Sequence, residues 1–232
     1  MKLGIMQPYL FPYIGYFQLI NGVDQFIVYD NVKFTKGGWI NRNRILVHGT
    51  PKWITLALRK DSDHLSIRDR YLSNRKENTR KLLRLIQSAY RKAPYFQKVY
   101  PLVEECLLYE EDNLFNFVLK SIRMICESLN ISTPIAVSSE IPIDHSLRKQ
   151  DKVIALCKFF DAKVYINLPG GKSLYDRRAF IEHGIHIYFL EPREIVYDQG
   201  VPSFVPNLSI IDVLMHNGYE LCRQYLTMYD LT

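Results

Sequence analysis

The chain has 232 residues, 47% of them hydrophobic and 23% charged. This is an ordinary globular composition, with enough apolar material for a sizeable core and too much for a disordered tail. No apolar run approaches the roughly 20 residues of a membrane helix, and the N-terminus has no apolar stretch of signal-peptide length, so a cytoplasmic protein without a membrane span is expected.

The formal net charge is +6, unevenly spread. Residues 59–98 carry 12 Lys and Arg against 4 Asp and Glu, which leaves the rest slightly acidic. Such a segment attracts nucleotides and other polyanions, or simply solvates a helix face. The second reading is the plainer one, and nucleic acid is not an expected partner. Cys106, Cys126, Cys157 and Cys222 form no CxxC pair, and no His stands at ligand spacing beside them. Buried reduced thiols are expected and a metal site is not.

In chain order, residues 3–6 read as a short buried strand and 25–29 as a second. About two turns of helix over 14–21 lie between them, stopped by Gly22. Strand, loop, helix and strand within 30 residues open a βαβ unit and imply a parallel sheet. Residues 52–58 read as a third strand and 59–71 as a loop. Residues 76–92 show helical spacing of Leu82, Leu85, Ile86 and Ala89, and 113–130 of Leu114, Phe117, Val118, Ile122, Ile125 and Leu129. These helices mark an insertion of roughly 60–130 in a single α/β domain of residues 1–232. The β–α rhythm then returns: strand 134–138, helix 151–160, strand 163–168, helix 173–183 with Ser173 and Asp176 as a capping box, strand 185–190, and helix 208–225 interrupted near Asn217-Gly218. The fold expected is a mainly parallel, Rossmann-like α/β sheet with a helical insertion.

Ligands of such sheets gather at the carboxyl ends of the strands, and four unusual clusters fall there. The first is QPYLFPYIGYF (7–17). Pro8 and Pro12 fix φ and order the loop in advance, Gly15 admits close approach, and Tyr9, Tyr13 and Tyr16 offer ring faces and hydroxyls. A buried loop plug is the plain alternative. The second is DNVKFTKGGWINRNR (30–44). Lys33, Lys36, Arg42 and Arg44 flank Gly37-Gly38, Trp39 can stack, Asn41 and Asn43 can read sugar hydroxyls or base edges, and Arg42 or Arg44 can take a phosphate in two-pronged fashion. A hairpin turning at Gly37-Gly38 is the alternative. The third holds His145 beside Asp144, with Arg148 and Lys149. In the fourth, LPGGKSLYD (168–176), Gly170, Gly171 and Lys172 sit between strand and helix, a place for an anion. The Walker pattern fails there because Ile166 stands where its first Gly belongs.

Four stretches in this order, QPYLFPYIGYF, DNVKFTKGGWINRNRI, NLPGGKSLYD and VPNLSIIDVL, resemble the WbqC-like family over nearly the whole chain. That family accompanies bacterial O-antigen and other surface-polysaccharide genes, so the resemblance implies that setting. Lys172 stands where the family more often has Gln. Tyr13-Ile14-Gly15-Tyr16 is also similar in position to the HxGH signature of nucleotidylyltransferases, with both His replaced by Tyr. A phenol, with a pKa near about 10, cannot supply imidazolium charge.

The reading is therefore a transferase of surface-polysaccharide assembly acting on a nucleotide-linked sugar, with acyl-type transfer to an amino sugar as the concrete expectation. Gln7, Tyr9, Tyr13, Gly15 and Tyr16 would line the nucleotide corner. Lys36, Trp39, Asn41, Arg42 and Asn43 would hold phosphates or sugar. Asp30, a strand-end carboxylate open to tuning by burial, is the expected general base, with His145 in reserve. The alternatives are nucleotidyl transfer with altered HxGH residues and a non-catalytic nucleotide-sugar-binding protein. The sequence specifies no cofactor and leaves a homodimer open.

Overall fold

Leu3 and Ile5 pack on one face of a sheet with Ile27, while Phe26 and Val28 pack on the other. Successive residues of a strand point to opposite faces, so strands apolar at every position need cover on both sides, as parallel sheets do. A computed structural model, which describes residues 1–232, shows how the cover is supplied. The strands are β1 (Lys2–Met6), β2 (Gln25–Val28), β3 (Arg42–Val47), β4 (Thr50–Thr55), β5 (Ile135–Val137), β6 (Val164–Asn167), β7 (His186–Pro192) and β8 (Tyr229–Leu231). The helices are α1 (Ile14–Asn21), α2 (Arg75–Tyr90), α3 (Phe96–Leu108), α4 (Leu114–Ser128), α5 (Lys149–Phe159), α6 (Arg177–Ile181) and α7 (Ile210–Tyr225).

The main sheet has the order β5-β2-β1-β6-β7-β8. Every pair is parallel except β7 with β8. From central β1 the chain steps outward through β2 and β5, then returns to β6 on the other side and steps outward again. This is the Rossmann-like order. The reversal between β1 and β6 opens a crevice at their carboxyl ends.

α5 and α6 cover one face, where Val153, Leu156 and Phe180 meet Leu3, Ile5, Tyr165 and Phe189. α1, α4 and α7 cover the other. Leu82 and Ile86 of α2, Val103 of α3, and Phe117 and Ile122 of α4 join that same core. Burying each such side chain stabilises by about 1.5–3 kcal/mol, so these three helices are integral to the apolar core. No helix is long and apolar enough to cross a membrane. Burial pushes the Cys106, Cys126, Cys157 and Cys222 thiols up to about 12, so they stay protonated near pH 7.

The structure departs from the sequence reading in several places. The strand expected over 52–58 is outside the parallel sheet. β3 and β4 instead form a separate antiparallel hairpin, with Arg42 opposite Thr55 and Val47 opposite Thr50. It turns at His48 and Gly49, both at positive φ (49° and 75°), and not at Gly37-Gly38. Two positive φ values suit a tight hairpin turn, but His48 does not announce one. α3 is masked by Pro101 within it, although Val99, Val103, Cys106 and Leu107 keep helical spacing. The helix expected over 173–183 is divided. A 3-10 helix covers Pro169–Leu174, Tyr175 is extended and packs edge-on to Tyr165 and Phe180, and α6 follows. Asp176, not Ser173, caps α6, accepting from the Arg178 N–H at 2.9 Å.

One buried carboxylate ties distant parts together. Asp212, in the first turn of α7, accepts from the hydroxyls of Tyr90 (2.7 Å) and Tyr197 (2.7 Å) and from Gln199 Nε2 (2.9 Å). Tyr90 Oη accepts in turn from the Leu46 N–H of β3 at 3.1 Å. One turn along α7, the His216 ring lies against Tyr90 and Tyr197. Burial lowers the His216 pKa, with Asp212 and Asp198 opposing. The unfolded imidazole titrates near about 6.5, so below that pH the unfolded chain binds the proton more readily and stability falls. Urea midpoints at pH 7.5 and 5.5 should therefore differ more for the wild type than for His216→Gln. Equal differences would exclude this role for His216.

Candidate functional site

A cavity of about 1260 Å³ lies over the carboxyl ends of β1 and β6. Met6 ends β1 and Gln7 follows it into the cavity, Tyr29 comes just after β2, Asn167 ends β6, Pro192 ends β7 and Arg193 follows it. The hairpin contributes Asn43 and Arg44, α5 contributes Lys149 and Val153, and the segment 194–208 forms a further wall with Ile195, Tyr197 and Phe204.

The loop 7–13 is held from behind. Leu10 and Phe11 are 0% and 1% exposed, so their backbone groups need partners inside the protein. Asn43 Nδ2 donates to Leu10 O (3.0 Å) and Phe11 O (2.8 Å). Ser209 Oγ donates to Phe11 O at 2.8 Å, and the Leu10 N–H donates to Trp39 O at 3.1 Å. With Leu10 and Phe11 turned inward, Tyr9 and Tyr13 face the cavity. Burial raises the pKa of both phenols, that of Tyr13 to about 12 with help from Tyr9. Both are neutral donors at pH 7.

The lining is cationic. Arg44, Lys149 and Arg193 are set against one carboxylate, Glu194. Arg193 is neutralised by Asp230 in a two-pronged ion pair. Arg44 donates one N–H to Asn207 O at 3.3 Å, and its buried Nε has no partner. Lys149 is exposed at the first turn of α5. Uncompensated Arg44 and Lys149, with Tyr9, Tyr13, Tyr29, Trp39, Tyr175, Tyr197 and Phe204, make a site for an anion carrying a ring system.

The WbqC-like protein family model matches residues 7–224. This chain belongs to the WbqC-like protein family. It is 31% identical over 232 residues to the uncharacterized protein Rv1507c of Mycobacterium tuberculosis (strain ATCC 25618 / H37Rv), covering 96% of this chain and 99% of that one. No solved structure matches it. The family span of this WbqC-like protein contains every lining residue except Ile5 and Met6.

Of the residues singled out in the WbqC-like sequence, Gln7, Tyr9, Pro12, Tyr13, Trp39, Asn43, Arg44, Lys149, Gly170 and Gly171 line the cavity. The Asn43 amide is occupied on both sides: Nδ2 donates to the loop carbonyls of Leu10 and Phe11, and Oδ1 accepts from the Arg44 N–H at 2.8 Å. The others lie elsewhere. Tyr16 is 0% exposed and its hydroxyl donates to Gln7 O at 3.0 Å. Asp30 is 1% exposed and accepts from Ser138 Oγ (2.7 Å), Ser139 N–H (3.0 Å) and Ser139 Oγ (2.6 Å). It staples the end of β2 to that of β5 and does not reach the cavity as a base would. His145 is exposed, with Nδ1 accepting from Asn31 and Nε2 donating to Ile141 O, both at 3.0 Å. Lys36 pairs with Asp63, Asn41 donates to Leu56 O, Arg42 donates to Gly38 O, and Lys172 pairs with Glu191. Gly170-Gly171 opens a six-residue 3-10 helix, so no long helix directs its dipole there. Gly171 serves packing instead, because a Cβ would stand 2.7 Å from Asn167 Nδ2.

Tyr29, Asn167, Tyr175, Arg193, Tyr197 and Asn207 are further polar members of the lining. Sequence reasoning did not assign them to the site. Position at the end of β6 and just beyond β7 is the available signal for Asn167 and Arg193.

Gly15 makes room for a side chain of the site itself. A Cβ there would come within 2.4 Å of the Tyr13 ring. Gly15→Ala must displace that ring from its present place in the cavity wall. The fold should survive, with a melting temperature within a few degrees of wild type, while affinity for a cavity ligand drops roughly tenfold, or about 1.4 kcal/mol. Unchanged affinity by calorimetry would show that Tyr13 does not meet the ligand.

Proposed function

We propose that this WbqC-like protein is a transferase of bacterial surface-polysaccharide assembly, working in the cytoplasm on a nucleotide-linked sugar bound in the cavity. The observation that carries this reading is a cation-lined, aromatic cavity where the strand order reverses, the usual ligand position of such sheets. Its volume of about 1260 Å³ exceeds the roughly 300–1,000 Å³ of an ordinary small-molecule site, room for two reactants. Arg44 and Lys149 would hold the phosphates, Tyr9 and Tyr13 would stack, and Gln7 would read hydroxyls or a base edge.

Acyl transfer to an amino sugar suits the lining. The neutral amine attacks the acyl carbonyl through its own lone pair, the bond to the leaving group breaks, and the amine proton departs with that group. Such a step needs no strong base. The lining holds one carboxylate and no His. Nucleotidyl transfer fits less well, because Tyr16, at the second HxGH position, is buried and bonded to Gln7 O.

The test is to incubate the protein with nucleotide-linked amino sugars and activated acyl donors and weigh the products. An acylated nucleotide sugar is expected. Pyrophosphate released from a nucleoside triphosphate and a sugar phosphate would replace this reading with nucleotidyl transfer. Binding without any product would make the protein an accessory factor.

A further inference from the structure

Both tryptophans of the chain lie on the surface, side by side. Trp39 is 38% and Trp53 44% exposed, their ring centroids are 5.3 Å apart, and the planes are tilted by 39°. The Arg42 guanidinium sits 4.1 Å over the Trp53 ring and that of Arg44 5.6 Å from the Trp39 ring. The hairpin register explains the arrangement, since Arg44 pairs with Trp53 and Arg42 follows on the same face two residues away. The result is a ladder of Arg42, Trp53, Trp39 and Arg44. Neither guanidinium takes part in an ion pair. Arg42 is anchored by donating to the Gly37 and Gly38 carbonyls. Trp39 and Arg44 line the cavity while Trp53 and Arg42 do not, so the ladder runs from the cavity rim outward.

We infer that the outer end of this ladder, Trp53 with Arg42, docks the nucleotide end of the second substrate, an acyl thioester carried on a phosphorylated nucleotide, while Arg44 at the rim stays with the nucleotide sugar. The role as donor site rests on the transferase reading above. A nucleobase offers a π-face to an indole, and its phosphates offer negative charge to the neighbouring guanidinium. At the outer end of the ladder the Arg42 guanidinium stands 4.1 Å from the Trp53 ring centroid, so indole face and cation are offered together. A neutral sugar could accept hydrogen bonds here too, but it brings no charge to the two unpaired guanidiniums, whereas a nucleotide's phosphates do. A nucleic acid strand needs a basic groove that follows many phosphates, whereas this ladder is two rings long and ends at the cavity. The thioester would enter the cavity. There the sugar amine attacks the carbonyl carbon, the C–S bond breaks, and the thiolate leaves with the proton lost by the amine.

Because both tryptophans of the chain stand in the ladder, tryptophan fluorescence, excited to the red of tyrosine absorption, reports on the ladder alone. Coenzyme A is the probe, with pantetheine, which lacks the nucleotide, and an eight-residue oligothymidylate as comparisons. Coenzyme A should quench the emission saturably, and pantetheine should not. Trp53→Ala, read through Trp39, should bind coenzyme A roughly 5- to 150-fold more weakly, and Trp53→Phe should restore much of the loss. Trp53→Ala should keep its stabilisation by a nucleotide sugar. The inference is overturned by absent quenching, by equal binding of pantetheine, by tighter binding of the oligonucleotide, or by unaltered binding in Trp53→Ala. It is also overturned if Trp53→Ala loses the nucleotide sugar, because the ladder then belongs to that ligand. Nucleotide-sugar stabilisation without coenzyme A quenching defeats this inference and leaves the cavity reading standing.

Discussion

Asp212→Ala should lower the unfolding free energy by about 3–5 kcal/mol. Three donors converge on this carboxylate, from Tyr90, Tyr197 and Gln199. Asp212 and Tyr90 are 0% and 2% exposed, so water cannot readily replace the lost acceptor at the Tyr90 end. A buried donor left unpaired costs about 1–3 kcal/mol. Partial rescue by water at the less buried Tyr197 keeps the total below the sum of three such losses. Proteins of this size are stable by only about 5–15 kcal/mol, and each kcal/mol moves the melting temperature by about 2–4 °C. A drop of roughly 6–20 °C in a circular dichroism melt is therefore expected. Tyr197→Phe, which removes one bond, should cost about 1 kcal/mol. A loss below 1 kcal/mol for Asp212→Ala would show that the donors find other partners.

The second large effect concerns binding. Arg44→Ala should weaken a nucleotide sugar by about 2–3 kcal/mol, roughly 30- to 150-fold. Arg44 lines the cavity and no carboxylate pairs with it, so its charge is available to a phosphate. The variant should fold, because the Arg44 side chain gives the protein one long hydrogen bond, 3.3 Å to Asn207 O, and one contact with the exposed Trp39 ring at 5.6 Å. Arg44→Lys keeps charge but loses the planar fork and should recover only part of the affinity. Arg193→Ala should matter less, because Asp230 already compensates Arg193.

The sheet was legible because its signals are local. Apolar runs at residues 3–6 and 25–28 read as covered strands, and the stripe from Leu114 to Ile125 reads as a buried helix face. The rigid loop 7–13 was legible from its prolines, and it does meet the hairpin segment at one cavity through Tyr9, Tyr13, Trp39, Asn43 and Arg44. The individual roles were not. Asp30 looks like a base until its partners Ser138 and Ser139, more than a hundred residues away, are found to saturate it. Tyr16 is one helical turn from Tyr13 yet points into the core, because α1 presents only its first residues to the cavity. The wall over 194–208 has neither helical nor strand spacing, and it is placed by the tertiary bonds of Tyr197 and Gln199 to Asp212.

The most direct test is a thermal-shift titration with uridine-, guanosine-, cytidine- and thymidine-linked sugars, run in parallel on wild type and Arg44→Ala. At 100 times its dissociation constant a bound ligand adds about 2.7 kcal/mol, roughly 5–11 °C at this chain length. One class of nucleotide sugar should raise the wild-type melting temperature by that amount and leave Arg44→Ala nearly unmoved. No shift with any of them at millimolar concentration, or an equal shift in the variant, would mean that the crevice above β1 and β6 is not where such a ligand binds.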